Sequence, residues 1–231
     1  MRYSSAPCER ETSWWFIVCD HYDPASINAK TRQNIRRGRR ECTVEQLDAE
    51  WLAHNGYQCY TSAFSRYSGI KPVNGTYFRE MVLRTISGPF SYWGVFHGMQ
   101  LSGFCQCITD GKQVSMNVTK YDPEYLRHRS AYALIDKLIQ SYVLDHGMIL
   151  SNGNRSIAHN TNYQDVLLGL GFQKQFCKLN ITYNPLLKFG VEALYPLHPL
   201  LSKLPYMRYV PKLKALLLQE QIRRESVAAR R

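Results

Sequence analysis

The most specific pattern in this sequence is Asn160-Thr161-Asn162-Tyr163-Gln164-Asp165-Val166-Leu167-Leu168-Gly169-Leu170-Gly171-Phe172. Its apolar side chains recur at the spacing of one helical face: Tyr163, Val166, Leu167 and Leu170. This spacing predicts a short amphipathic helix, which Gly171 ends. Residues 176–183 then alternate between apolar and polar side chains, so we predict a final strand there.

A longer helical pattern and a buried strand come before this segment. The apolar face of the helix is formed by Leu134, Ile135, Leu138, Ile139, Tyr142 and Val143. Gly147 ends this helix, and residues 148–151 predict a buried strand. Further upstream, residues 92–96, 103–108 and 113–119 predict three strands joined by short turns, which together form an antiparallel meander.

The first third of the chain has weaker patterns. Residues 14–22 predict a strand because aromatic and β-branched side chains are concentrated there. A short strand is expected at residues 43–47, and three helices are expected at residues 48–54, 60–67 and 76–86. The sequence therefore predicts helices before the meander and further helices after it.

The composition is that of an ordinary globular protein. The chain has 231 residues, of which 45% are hydrophobic and 20% are charged, and this excludes wholesale disorder. The longest uncharged apolar run, residues 14–19, is far shorter than the roughly 20 residues of a membrane-spanning helix. No apolar signal core follows Met1, so we expect a cytoplasmic protein with no transmembrane segment.

The charge indicates a polyanionic partner. The formal net charge is +11, which suits nucleic acid, a membrane surface or an anionic cofactor. Six cations fall within residues 30–40: Lys30, Arg32, Arg36, Arg37, Arg39 and Arg40. The segment from Lys30 to Arg40 is either a solvated helical face or a patch that binds phosphate or RNA, and composition leaves both open.

The cysteines and histidines are dispersed. There are seven of each, and no C-x-x-C pair occurs. This distribution argues against a disulfide framework and against a structural zinc site, so we expect no metal. Cys105 and Cys107 lie two apart on a predicted strand and should face the same side of the sheet. We interpret them as small buried core residues rather than as a redox pair.

The C-terminal region differs from the rest of the chain. Prolines interrupt its apolar clusters: Pro185, Pro196, Pro199, Pro205 and Pro211. Long regular elements are therefore not expected until residues 212–227, which predict a basic helix. We predict one domain over residues 1–184 and an extension over residues 185–231. The basic helix is expected to dock on the domain, with a membrane surface or a partner as the alternative.

This order of elements resembles that of the GNAT (Gcn5-related N-acetyltransferase) superfamily. The family's late helix begins with Asn and ends in Leu-Gly-Phe, and Asn160, Gly171 and Phe172 match those positions. The resemblance covers about residues 76–183 and, more loosely, residues 14–70. It implies an α/β fold with a mixed, mostly antiparallel central sheet flanked by helices. It also implies transfer of an acyl group, typically acetyl, from acyl-CoA to an amine or hydroxyl of a small molecule or peptide.

The resemblance also implies where the donor binds. In this family acyl-CoA lies where two parallel strands splay apart, and the loop before the long helix directs N–H groups at the pyrophosphate. The corresponding residues 126–131 supply five donor-binding candidates, which are Arg127, His128, Arg129, Ser130 and Ala131. Ala131 fits the family's loop, whereas Arg129 stands where the first glycine is expected. Thr119 and Asn160 complete the predicted donor-binding set.

The catalytic candidates are less regular. The family's proton-donating tyrosine aligns with Leu167, which cannot transfer a proton. Tyr163, one turn earlier, and His159, beside the start of the late helix, are the substitutes. Asn117 is expected to flank the acyl carbonyl together with Thr119. Transfer would then be direct, within a ternary complex and without an acyl-enzyme.

Two alternatives stay open. Both departures fit the FemAB-like branch of the fold, whose members resemble two fused GNAT-type domains and take an aminoacyl group from tRNA. The basic residues 30–40 suit an RNA donor, whereas the length has room for one such unit, either alone or in a homodimer. The other alternative is a catalytically silent member that binds RNA or a protein partner.

Overall fold

The computed structural model describes residues 2–67, 70–155, 157, 162–198 and 210–228. They form an α/β architecture with a mixed, mostly antiparallel sheet and flanking helices. The strands are β1 (Arg2–Ser4), β2 (Trp14–Cys19), β3 (Thr43–Leu47), β4 (Phe90–His97), β5 (Gln100–Asp110), β6 (Gln113–Tyr121), β7 (Ile149–Asn154), β8 (Gln173–Cys177) and β9 (Leu179–Ile181). The helices are α1 (Ala29–Glu41), α2 (Ala49–Asn55), α3 (Tyr57–Ala63), α4 (Gly75–Leu83), α5 (Ser130–Leu138), α6 (Tyr163–Gly169), α7 (Pro185–Leu194) and α8 (Val210–Ala228).

The strand order of the larger sheet is β3-β4-β5-β6-β7-β2-β8, and β1 pairs with β9 in a two-stranded sheet. The predicted meander is confirmed, because β4, β5 and β6 are antiparallel neighbours. Gly98 and Gly111 form its two turns, each with a φ of 57°, a conformation that glycine adopts without strain. β6 and β7 are parallel.

The chain divides into two compact units. The larger unit comprises Val18–Gly153 and Asp165–Gln173. The smaller unit comprises Met1–Ile17, Asn154–Gln164 and Lys174–Arg231. The boundary that the sequence suggests after residue 184 remains a prediction.

Helices cover both faces of the meander in the larger unit. On one face, α2, α3 and α4 enclose an apolar cluster that includes Leu52, Tyr60 and Phe78 with Tyr92 and Phe104 of the sheet. On the other face, α5 packs against β4 and β5 and also against α1. The loop that precedes α5 is therefore supported by α1 and by the sheet.

The smaller unit holds α8 through an apolar cluster and an ionic cluster. Ile222 of α8 packs with the buried residues Trp14, Cys177 and Leu179. The Glu220 carboxylate, nearly fully buried, accepts hydrogen bonds from Tyr183, Arg223 and Arg224. Burial opposes its ionisation, but these three donors hold the pKa of Glu220 down at about 2. The basic helix is thus docked on strands and helices of its own unit.

Three expectations about single elements were wrong. Residues 176–183 are not one strand, because the backbone N–H of Lys178, between β8 and β9, donates to Ser5 Oγ at 2.8 Å. A ten-residue helix, α7, occurs in the proline-rich region because Pro185 occupies its first turn and Asn184 caps it. The long helix changes to a π-helical turn at Ile139–Leu144 rather than remaining α-helical up to Gly147.

Candidate functional site

The two parallel strands of the larger unit separate soon after they pair. Residues 113–115 of β6 pair with residues 149–151 of β7. Beyond Ser115, β6 continues to Tyr121 as the partner of β5 alone, while β7 continues for three more residues. The sheet is therefore open between the two strands, on the side where the resemblance implies the acyl donor.

Asn117 forms a β-bulge beside this opening. Val118 pairs with Gln106 across β5. The next pair joins Met116 to Cys107, so Asn117 has no partner in the strand register. A bulge leaves the backbone of the extra residue outside the hydrogen-bonded ladder. The N–H group of Asn117 can therefore donate to a carbonyl oxygen in the opening.

Arg129 has a backbone conformation that favours glycine. It lies between a 3-10 turn, Pro123–His128, and the start of α5. Its φ is 63°, and it is the one non-glycine residue with a positive φ in the described part of the chain. This left-handed conformation is unfavourable by about 1–2 kcal/mol for a residue with a Cβ atom. The loop therefore has a glycine-like backbone at the position where the resemblance expects glycine.

The start of α5 presents unpaired backbone donors. The helix has no side-chain cap, and no acceptor among the described residues takes the N–H groups of Ser130, Ala131 and Tyr132. The first engaged donor is the N–H of Ala133, 3.1 Å from the carbonyl oxygen of Arg129. Free N–H groups and the helix dipole together attract an anion to such a terminus. The terminus of α5 therefore has the chemistry that a pyrophosphate needs.

One face of α1 braces this loop. Asn34, Gly38 and Glu41 lie on that face at i, i+4 and i+7. Asn34 Oδ1 accepts a hydrogen bond from Arg129 Nε at 2.8 Å, and the Glu41 carboxylate lies 2.8 Å from His128 Nδ1. At Gly38, a Cβ atom would lie 2.8 Å from the Arg129 carbonyl oxygen, which only glycine avoids.

His128 is fixed within this loop. Its ring stacks on that of His97 with 3.8 Å between centroids, and its Nε2 accepts a hydrogen bond from Arg127 Nε at 3.2 Å. Hydrogen bonds from Arg37 and His128 lower the pKa of Glu41 from 4.5 to about 2, so this carboxylate is charged at neutral pH. His128 positions the loop, whereas Arg127 is exposed to solvent and can reach a phosphate with the guanidinium N–H groups that do not contact His128.

The Asn117 side chain is part of a polar chain on the α2–α4 face of the sheet. Its Nδ2 donates to Gln106 Oε1 at 2.7 Å. Gln106 Nε2 donates to the Tyr92 hydroxyl at 2.6 Å, and that hydroxyl lies 2.8 Å from Thr85 Oγ1. Because Nδ2 is engaged with Gln106, the candidate donor at the bulge is the backbone N–H of Asn117.

Thr119 and the two central cysteines lie on the opposite face. Thr119 Oγ1 is 3.4 Å from Cys105 Sγ, and Cys105 Sγ is 3.8 Å from Cys107 Sγ. Both cysteines are completely buried. The contact with Cys105 and burial both raise the pKa of the Cys107 thiol above its usual range. These cysteines are therefore small core residues on one face, as the sequence predicts.

The remaining catalytic candidates fall elsewhere. His159 and Asn160 lie outside the described residues. Tyr163 is the first residue of α6, belongs to the smaller unit and is half-buried. Leu167 is completely buried, so the position of the family's tyrosine has a packing role here.

The basic segment is largely engaged within the chain. The Arg32 guanidinium donates to the backbone carbonyls of Ala25 and Ile27. Arg39 forms a bidentate pair with the buried carboxylate of Asp136, at 2.7 and 2.8 Å. Arg37 and Arg40 both contact Glu41, at 2.7 and 3.5 Å. Four of the six cations therefore have intramolecular partners. Three of these cations face a carboxylate, which lowers the net charge that this surface offers to RNA.

No cluster of three or more His, Cys, Asp or Glu side chains in the described ranges is arranged to hold a metal ion. Within the same ranges, no helix is both long and apolar enough to cross a bilayer.

Sequence patterns alone did not identify several residues of the candidate site. Asn34, Gly38 and Glu41 have the spacing of one helical face, but their contacts with the loop depend on how α1 packs in three dimensions. The bulge at Asn117 has no sequence signal either, because neither glycine nor proline marks it. The basic composition of residues 30–40 predicted a charged surface on α1 and gave no indication that the other face of α1 contacts the loop before α5.

Solved structures share this architecture, although no family model and no curated protein matches the sequence. The C-terminal domain of a putative lysylphosphatidylglycerol synthetase from Agrobacterium fabrum aligns with a TM-score of 0.55 at 11% identity, over 85% of this chain and 66% of that one. FemX aligns with a TM-score of 0.53 at 9% identity, over 70% of this chain and 59% of FemX. L-PGS from Bacillus licheniformis aligns with a TM-score of 0.50 at 12% identity, over 84% of this chain and 66% of that one.

The chain has the GNAT-like fold of these structures, and a FemAB-like protein is among them. It spans less than two thirds of the length of each. At identities near 10% the likeness concerns the fold. Any function must therefore be argued from the loop, the bulge and the opening in the sheet.

Proposed function

We propose that this protein transfers an acyl group from acyl-CoA to an amine or hydroxyl acceptor. The observation that carries the proposal is the left-handed conformation of Arg129, followed by the three unpaired N–H groups of Ser130, Ala131 and Tyr132. The loop has retained the backbone shape of a pyrophosphate site without the glycine that usually supplies it. Contacts with Asn34 and Gly38 of α1 hold Arg129 in this unfavourable shape, and the shape leaves three N–H groups available to an anion.

The proposed donor occupies the opening between β6 and β7. Its pyrophosphate would accept hydrogen bonds from the first turn of α5, and Arg127 would add a cationic contact. The thioester carbonyl would accept a hydrogen bond from the N–H of Asn117, which stabilises the oxyanion as the acceptor attacks. The thiolate then leaves with a proton, for which His159 and Tyr163 remain the candidate donors.

Aminoacyl-tRNA is the second candidate donor. One observation favours it, namely the formal net charge of +11, which suits an RNA partner. The pairing of three of the six cations in residues 30–40 with carboxylates speaks against a large RNA surface there. Both donors place an activated acyl ester or thioester in the same opening, so binding experiments decide between them.

The test is isothermal titration of the protein with acetyl-CoA and with CoA at two salt concentrations. We expect a dissociation constant in the micromolar range, equivalent to about 8 kcal/mol. Binding should be lost in Arg127→Ala/Arg129→Ala and unchanged in Lys112→Ala, which removes an exposed cation in the turn before β6. Absence of binding at millimolar acetyl-CoA, with binding of tRNA instead, would replace the first donor by the second.

A further inference from the structure

Among the described residues, the ammonium group of Lys120 contacts two aromatic rings and no carboxylate. Its Nζ lies 4.5 Å from the centre of the Phe64 ring and 4.9 Å from the centre of the Tyr67 ring. In the described part of the chain, no carboxylate and no hydrogen-bond acceptor contacts it. Aromatic faces attract a cation, but they do not satisfy its three N–H donors. Lys120 is only partly exposed to solvent, so its unpaired donors are poorly compensated by water.

Lys120 lies on the same face of the sheet as the polar chain that starts at Asn117. Lys120 pairs directly with Phe104 across β5, and Val118 pairs with Gln106. Directly paired residues of antiparallel strands point to the same side, which here is the side covered by α2, α3 and α4. The ammonium group is therefore on that face, whereas Thr119 and Cys105 are on the opposite one.

The separation between Lys120 and the bulge limits what Lys120 can do. Three residues of extended strand span roughly 10 Å, so Lys120 does not reach an acyl carbonyl held at Asn117. Lys120 can instead contact another part of an acceptor molecule, one whose nucleophilic atom lies at the Asn117 bulge. A cation at this distance selects a ligand by charge rather than by taking part in the chemical step.

We propose that Lys120, with Phe64 and Tyr67, is an acceptor-binding subsite for an anionic oxygen group. The acceptor is then an amine or alcohol that carries a carboxylate or phosphate roughly 10 Å from its reacting atom. The anion completes the hydrogen bonds of Lys120, and the two rings hold the ammonium in place. This inference rests on the proposed acyl transfer and adds the chemical class of the acceptor.

The ionisation of Lys120 is consistent with this role. Burial lowers the pKa of the Lys120 ammonium, which reflects a charge that the protein itself does not neutralise. An anion placed beside it favours the charged form and raises that pKa again. Binding of an anion should therefore be strongest below the pKa of Lys120.

The test follows Lys120 directly by NMR in the full chain labelled with ¹³C at the lysine ε-carbon. Acetate and methyl phosphate are titrated separately, which distinguishes a carboxylate-bearing from a phosphate-bearing acceptor. We expect a saturable shift of the Lys120 signal by at least one anion, with a dissociation constant on the order of 10 mM. The signal of Lys112, an exposed lysine at the turn before β6, serves as the internal control and should drift only with salt.

Two variants keep the result interpretable. Lys120→Arg should retain saturable anion binding, as read from the Tyr67 ring signals, and Lys120→Met should lose it. The wild type, Lys120→Arg and Lys120→Met should bind acetyl-CoA with the same affinity. Loss of anion binding at Lys120 can therefore be distinguished from failure of the proposed donor site. A Lys120 signal that follows salt as Lys112 does, or anion binding that persists in Lys120→Met, would overturn the inference.

Discussion

The residue that decides the character of this site is Arg129. Its left-handed backbone shapes the loop before α5, and its side chain is tied to Asn34 of α1. An arginine can hold a glycine conformation here because the surrounding contacts fix it on both sides. In the proposed donor site the backbone N–H groups bind the anion, and the side chain supplies the bracing contact to Asn34. This division of roles explains how the loop holds a glycine-like shape with arginine at this position.

The first prediction compares two substitutions at this position. Arg129→Gly and Arg129→Ala both remove the hydrogen bond to Asn34, but only glycine relieves the left-handed backbone. We therefore expect Arg129→Gly to be more stable than Arg129→Ala by about 1 kcal/mol, measured by urea unfolding.

The control uses Arg36, an exposed residue in the middle of α1. There alanine should be more stable than glycine by about 1 kcal/mol, because glycine has low helix propensity. If the alanine variant is more stable than the glycine variant at both positions, Arg129 does not have a positive φ.

At the scale of elements, the contact between α1 and the α5 loop holds the site together. Gly38 permits the approach, because a Cβ atom there would lie within 3.2 Å of the Arg129 carbonyl oxygen and of the Ala133 backbone nitrogen and Cβ. The Glu41 carboxylate and the Asn34 amide fix the loop on either side of this contact. The geometry of the proposed donor site is thus set by α1, a helix that lies far from the loop in sequence.

The second prediction is that Gly38→Ala weakens the site. A methyl group at this position forces α1 away from the loop, at about 1–3 kcal/mol of overpacking. The gain in helix propensity of about 1 kcal/mol only partly offsets this loss. We expect lower stability in thermal unfolding and weaker acetyl-CoA binding in the same variant.

Gly190→Ala provides the matched control, since Gly190 lies in α7 with no atom within 4 Å of a Cβ there. That substitution should raise stability and leave acetyl-CoA binding unchanged. A Gly38→Ala protein that binds acetyl-CoA as the wild type does would show that α1 does not determine the shape of the loop.

The same elements show what the sequence can and cannot predict. The apolar faces of α5 and α6 and the turns at Gly98 and Gly111 are local patterns, so the meander and the order of elements followed from them. The π-helical turn at Ile139–Leu144 did not follow from local patterns. Its Tyr142 hydroxyl accepts a hydrogen bond from Trp93 Nε1 and lies 2.8 Å from Ser91 Oγ, and both partners are distant in sequence. Long-range contacts of this kind override local spacing.

The candidate site was predictable only in part for the same reason. Position matching along the helix placed Arg127 to Ala131 on the donor loop, and the structure does bring them to the start of α5. It could not reveal that Arg129 is left-handed, that His128 is held by Glu41, or that Asn117 is bulged. Each of these features arises from packing between elements.

At the scale of the whole molecule, the chain combines a GNAT-like fold with a donor loop that departs from the usual sequence of that fold. The opening between β6 and β7, the bulge at Asn117 and the N-terminus of α5 all belong to the larger unit. Tyr163, the first residue of α6, belongs to the smaller unit, and α8 is fixed in that unit by the Glu220 cluster. The central claim is that backbone N–H groups of the larger unit bind the acyl donor.

The most direct measurement of this claim is an amide ¹H–¹⁵N titration with CoA and with acetyl-CoA. CoA and acetyl-CoA should both shift the amide signals of Ser130, Ala131 and Tyr132, since both ligands carry the pyrophosphate. Only acetyl-CoA should shift the Asn117 amide, because only it has a thioester carbonyl. Two results would contradict the assignment of this loop as an acyl-CoA site. One is a set of shifted amide signals that includes neither residues 130–132 nor Asn117, and the other is the absence of any shift at millimolar ligand.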